Sequence, residues 1–314
     1  MDILSALTRP KLLALKIPTD CEVATADGDI DAVERDGLQA RRAAAGAAAT
    51  ARSSANGSAG AASAAGSAAS GVNSDDDDLA DSDDDESSVV VRVQTIDVAS
   101  SIGGKIWDVS LLLGAWLAAD RARVPPPPAD GGGRRPRVLE LGAGLGISGL
   151  AMALAHPHLH VTLSDYDDAV NANLHESIRL TAASARVDVE KVDFRDFADG
   201  TAPPQYAPLL RAFDLIIGAD VVYELSHANI ARVVAALLAD APAGGGGWRP
   251  RAYFMLLDGR PRLREFVAAF ETVGAACRIE RLRPTAELAR RLRRAHDGWA
   301  AGGATFSLYS VVRI

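Results

Sequence analysis

Residues 137–149 read Arg137-Val-Leu-Glu140-Leu-Gly142-Ala-Gly144-Leu-Gly146-Ile-Ser-Gly149. A short apolar strand runs into spaced glycines and then into an apolar stretch, 146–155, that reads as a buried helix. Strand, glycine turn and helix together open a doubly wound α/β sheet, in which ligands sit beyond the carboxyl ends of the strands. The dinucleotide fingerprint Gly-x-Gly-x-x-Gly requires its third glycine at 147, where Ile147 stands, and this argues against a dehydrogenase. Glu140, two residues before the first glycine, suits a cationic or amine-bearing group better than a pyrophosphate. Taken alone, such a turn is equally an ordinary tight strand-to-helix connection.

The chain continues as alternating strands and helices. Strands are predicted at 89–93, 137–141, 160–165, 187–193, 213–219, 251–257, 277–282 and 305–313. Helices are predicted at 107–119, 146–155, 169–182, 228–238, 263–273 and 285–295. This alternation implies a mainly parallel sheet covered on both faces. Chemistry-bearing residues recur where strands end. Asp165-Tyr166 closes the second core strand, 25 residues after Glu140 and near the distance at which an acid grips ribose hydroxyls. Asp193-Phe194 follows the third; an acid and an aromatic there suit the amine and face of an adenine, or else a helix cap in a solvated loop. The fourth ends in Ala219-Asp220-Val-Val-Tyr223, which brings Asp220 and Tyr223 to the same sheet edge as the glycine turn.

Composition divides the chain in two. All 16 aromatic residues lie at or after Trp107. Residues 43–71 hold 15 alanines among Gly and Ser, and nine acidic side chains fall between Asp75 and Glu86. Without those nine, the formal charge of −8 becomes a near balance of 33 basic and 32 acidic residues. The segment 35–88 buries too little apolar surface to offset its ordering entropy and is read as disordered, a solubilising insertion. Residues 1–34 form a terminal segment able to add a strand or helix to the domain at 89–314. No apolar run reaches the ~18 residues of a membrane span. Two cysteines make neither a disulfide framework nor a zinc site, so the expectation is an intracellular protein, cytoplasmic or nuclear.

The ordered set of motifs resembles the class I, seven-strand S-adenosylmethionine-dependent methyltransferases, and within them methyltransferase family 16, which includes many protein lysine methyltransferases. Three stretches carry the resemblance: Gly104-Lys-Ile-Trp107-Asp108, Glu140 to Gly146, and Asp220-Val-Val-Tyr223. It covers roughly 89–314. It departs at Asp193-Phe194, where family members often carry Asp-Trp. The resemblance implies a Rossmann-like, doubly wound seven-stranded sheet, mostly parallel with a C-terminal antiparallel strand. It implies S-adenosylmethionine as cofactor, held by Trp107, Glu140, Gly142, Gly144, Gly146, Asp165, Tyr166, Asp193, Phe194 and Ala219, with Asp220 and Tyr223 as catalytic residues at the entrance for a target amine. The expected reaction is N-methylation of a lysine on a non-histone protein by a monomer, without membrane or nucleic-acid partners. A small-molecule N-methyltransferase and a non-catalytic cofactor-binding scaffold are the alternatives.

Other signals are weaker. His156, His158 and His160 alternate, but Pro157 points to a surface loop rather than a metal site. Arg290, Arg291, Arg293 and Arg294 read as a solvated helix face. Asp258-Gly-Arg260 ends the fifth core strand at the same edge and is a weak candidate for substrate contact. Residues 125–135, rich in Pro and Gly, read as a solvated linker.

Overall fold

Alternation along each strand decides which layer covers which face. In the computed structural model, which describes residues 11–18, 88–96, 102–128, 133–222, 227–242, 247–272, 277–282 and 306–313, seven strands form one sheet. They are β3 (Arg137–Leu141), β4 (His160–Asp165), β5 (Val187–Lys191), β6 (Leu215–Ala219), β7 (Arg251–Leu257), β8 (Cys277–Leu282) and β9 (Phe306–Arg313), in spatial order β5-β4-β3-β6-β7-β9-β8. Pairing is parallel from β5 through β7, and β9 runs antiparallel to both β7 and β8. This is the expected doubly wound sheet with its C-terminal antiparallel strand.

Two apolar layers follow from the pleat. Val138, Val161, Leu163, Leu215, Ile217 and Met255 face one side. There they meet α1 (Asp108–Ala118), α2 (Ile147–Ala155) and α3 (Asp168–Leu180). Leu139, Leu141, Ile216, Phe254 and Leu256 face the other side, against α4 (His227–Leu237) and α5 (Leu263–Thr272). Every residue of α1 from Val109 to Ala118 is buried, as expected of a helix apolar on all sides.

The N-terminal segment contributes β1 (Lys11–Pro18), paired antiparallel with β2 (Ser88–Thr95) in full register from Lys11↔Thr95 to Pro18↔Ser88. Leu15, Ile17, Val91 and Val93 alternate inward and join the α1–α3 layer. The edge of β2 is tied to α3: Arg92 N–H donates to Thr181 Oγ1 at 3.0 Å, the Thr181 hydroxyl returns a bond to Arg92 O at 2.9 Å, and Asn173 Nδ2 donates to Gln94 O at 2.8 Å. The insertion read as disordered lies outside the described residues, apart from Ser88, which opens β2. The predicted helix at 285–295 and the arginine cluster within it also lie outside them.

Two local expectations are corrected. His156 is buried, not on a surface loop: α2 ends against α1, and its Nε2 bonds Leu117 O at 2.8 Å. Burial holds this imidazole below its ordinary pKa, against the opposing effect of the Leu117 carbonyl. The start of the proline-rich linker is also packed. Val124 and Pro125 are buried, and His158 Nε2 bonds Pro125 O at 2.8 Å.

Candidate active site

The chain winds from β3 through β4 to β5 on one side, then crosses to β6 on the other. A crevice opens beyond the strand ends at such a reversal. Here it is a cavity of about 570 Å³ bordered by residues from β3, β4, β6 and the segment before α1, within the ~300–1,000 Å³ range of small-molecule sites.

The glycine turn forms its floor. Gly142, Gly144 and Gly146 have φ of +58°, +54° and +78°, a region that favours glycine. A Cβ on Gly142 would stand 3.0 Å from Val221 Cγ1, and one on Gly144 would stand 3.0 Å from the Gly103 carbonyl oxygen. Gly146 is set apart. It does not border the cavity but caps α2, and a Cβ there would meet Leu163 and Leu174 at 2.8 and 2.9 Å.

Two acids are sunk beside the turn. Glu140 is 1% exposed and accepts from Gly149 N–H, in the first turn of α2, at 2.9 Å. It therefore caps a helix whose own N-cap residue, Gly146, has no side chain to offer. Burial pushes the Glu140 carboxyl up to about 7, the Gly149 amide opposing and Asp165 adding to the rise. Asp165 accepts from Gly144 N–H and Asp167 N–H, each at 3.2 Å. Burial raises its pKa too, against those amide bonds.

Aromatic and cationic groups border the mouth. Trp107, the residue before α1, is 36% exposed and donates from Nε1 to Ile102 O at 3.2 Å. Tyr166 lies under the Arg195 guanidinium, 5.4 Å from its ring centroid. Arg195 forks onto Asp193, which caps the short 3₁₀ turn Phe194–Phe197; the guanidinium holds the Asp193 carboxyl below its ordinary range.

Just past the end of β6, the strand paired with β3, stands Asp220, its side chain 5% exposed. It has φ of +52°, and its N–H donates to Met255 O at 2.8 Å. Arg260 Nε donates to its Oδ1 at 3.0 Å and Nη2 donates to its Oδ2. Of the residues named from sequence, Trp107, Glu140, Gly142, Gly144, Asp165, Tyr166, Asp193, Phe194, Ala219 and Asp220 border this one cavity. Tyr223 lies outside the described residues.

The sequence reading missed the contribution of Ile102 and Gly103, just before the Gly104–Asp108 stretch it singled out, and the pairing of Arg260 with Asp220. Gly103 and Gly104 were the available signal for the first. For the second, Arg260 stands just past the end of β7, the strand beside β6.

The model of the lysine methyltransferase family matches residues 86–242, half of the chain, including the glycine turn and the ends of β3 to β6 that border the cavity. The chain belongs to that family. It is an S-adenosylmethionine-dependent methyltransferase with the class I fold. No curated protein matches this methyltransferase in sequence. Among solved structures similar to it is a predicted O-methyltransferase, protein Atu636 from Agrobacterium tumefaciens, at 19% identity over 65% of this chain and 80% of that one, TM-score 0.42. Others are TYW2 of P. horikoshii with MeSAdo, 15% identical over 70% and 67%, TM-score 0.43, and TYW2 of M. jannaschii with AdoMet, 13% identical over 71% and 83%, TM-score 0.42. No helix among the described residues is long and apolar enough to cross a membrane.

Proposed function

We propose that this methyltransferase modifies a lysine side chain of a protein. The observation that carries the reading is Asp220, a buried carboxylate bordering the same cavity as the glycine turn, which supports a site for a target amine. The residues present fit the cofactor. Gly142 and Gly144, both at positive φ, keep side chains away from the floor, and Glu140 and Asp165 supply buried acceptors. Glu140 and the Gly142–Gly144 turn would hold the amino-acid end, Asp165 the ribose, and Asp193 with Phe194 the adenine. Glu140 already caps α2, but a carboxylate has about four acceptor sites, so capacity remains for an ammonium. When bound, S-adenosylmethionine would supply a sulfonium methyl whose carbon an amine lone pair can take, with the neutral thioether as leaving group.

This chain's own residues orient the acceptor and exclude water. Asp220 accepts an N–H from the amine and fixes its direction. Trp107, with Ile102 beside it, forms an apolar lip at the mouth that suits a lysine's methylene stem. The proton leaves to water, with no obligatory base assigned. The test incubates the full chain with methyl-labelled S-adenosylmethionine and an extract of the source cells, with Asp220→Asn as control. Methyl-lysine in a discrete protein, lost in the control, is the expected result. Label confined to small molecules would overturn the protein-acceptor reading.

A further inference from the structure

Arg260 is a side chain that this reading does not use. It sits in the turn after β7, and its guanidinium grips both oxygens of Asp220. The carboxylate is 5% exposed and the arginine side chain 30%. Asp220 is also fixed from behind, because its N–H extends the β6–β7 ladder one residue past Ala219 by bonding Met255 O. Both side chains border the cavity.

The charge of the pair matters for an amine acceptor. A lysine ammonium has three donors and no lone pair, so it is inert as a nucleophile. A bare buried carboxylate would favour that inert form, since an opposite charge at ~4–6 Å moves a pKa by about 1–3 units toward the ion. A carboxylate forked to a guanidinium keeps free acceptor sites but carries no net charge with its partner. We propose that Arg260 is a positioning residue that neutralises Asp220, so that the acceptor site hydrogen-bonds a neutral amine instead of trapping its ammonium.

The inference rests on the amine-acceptor reading above. The other titratable groups bordering the cavity are Lys105, Glu140, Asp165, Tyr166, Asp193 and Arg195. Asp193 has its own guanidinium in Arg195, and Glu140 and Asp165 are bonded to backbone amides. Asp220 is thus the carboxylate whose effective charge Arg260 sets.

The test needs no identified substrate. The full chain and its R260M, R260K and D220N/R260M variants are saturated with S-adenosylhomocysteine. Each is titrated at pH 7 with n-butylammonium and with n-butanol, a charged and a neutral mimic of the lysine side chain, and binding is followed by ligand-observed NMR. The quantity read is the ratio of the two affinities. R260M raises the preference for the ammonium about tenfold. R260K keeps the charge and stays near the wild-type ratio, and D220N/R260M abolishes the rise. A merely structural arginine would weaken both probes together and leave the ratio unmoved. That outcome overturns the proposal, as does failure of both probes to bind the wild-type chain. R260Q gives the same comparison if R260M does not fold. Failure of the protein-lysine reading appears separately, as absence of methyl-lysine in the extract assay while the ratio still shifts.

Discussion

On the β3–β4 side of the cavity, side chains meet backbone: Glu140 takes the amide of Gly149, and Asp165 takes the amides of Gly144 and Asp167. On the β6–β7 side, side chain meets side chain, Asp220 with Arg260. The first wall is written in consecutive residues, because a strand, a glycine turn and a helix dictate which amides are free. The second depends on which strand ends the sheet sets side by side, 40 positions apart in the chain. A backbone wall tolerates few changes at its glycines, whereas a wall of paired side chains can be retuned by one substitution. The contrast suits a fixed cofactor on one side and a chosen acceptor on the other.

The sharpest way to break this division is Asp220→Asn, which preserves side-chain volume and a residue type that accepts positive φ. We expect methyl transfer to fall on the order of a hundredfold while affinity for S-adenosylhomocysteine, read by calorimetry, stays within about twofold of wild type. A matching loss of cofactor affinity would merge the two walls.

Glu140→Gln probes the other wall through pH. With its carboxyl pushed up to about 7, Glu140 holds a proton in the free protein at lower pH. An ammonium bound beside it favours the ion, so binding releases that proton. Below about pH 7 cofactor affinity should fall as pH drops, approaching tenfold per unit; Glu140→Gln should remove this slope and bind more weakly at pH 7. Stability runs the opposite way. A raised carboxyl pKa means the folded state holds more protons, so stability from this group is full near pH 4 and is lost as pH rises through 7. Glu140→Gln should therefore stabilise the free protein at pH 8, by about 3 kcal/mol, in denaturant titration.

Gly144→Ala should cost about 1–2 kcal/mol of stability from its left-handed backbone alone. The new Cβ meets the Gly103 carbonyl, so the variant also displaces the segment bearing Trp107. A melting temperature equal to wild type would show that the turn is less constrained than its geometry indicates. The smallest effect is expected at Thr181→Val, which removes the hydroxyl tie to β2. A loss of about 1 kcal/mol with unchanged cofactor affinity would place the hairpin outside both walls.

Much of this was legible in the sequence, for physical reasons that differ by region. Buried strands such as Leu215–Ala219 are apolar runs, and helices such as α3 carry their own cap: Asp167 accepts from Ala169 N–H and Val170 N–H. Ten of the cofactor and catalytic residues named from sequence meet at one cavity because the parallel strands β3 to β6 all end at the same edge. Gly146 was legible as a glycine but not as a packing residue, since Leu163 and Leu174 press on it from other elements. His156 was misread because Pro157 reports only local geometry, while the carbonyl of Leu117 that receives its ring arrives from α1. Arg260 was legible as a position and not as a partner, because strand order is a property of the whole sheet.

The pairing of β1 with β2 across positions 19–87 has a kinetic side. Closing a loop of that span costs entropy before any strand bond repays it, so β1 is expected to dock after the contiguous β3-to-β7 core has formed. The same logarithmic law makes the span forgiving once folded: doubling it adds only ~0.6 kcal/mol. By that law the number of residues separating the two strands is a weak determinant of the stability of the β1–β2 pair.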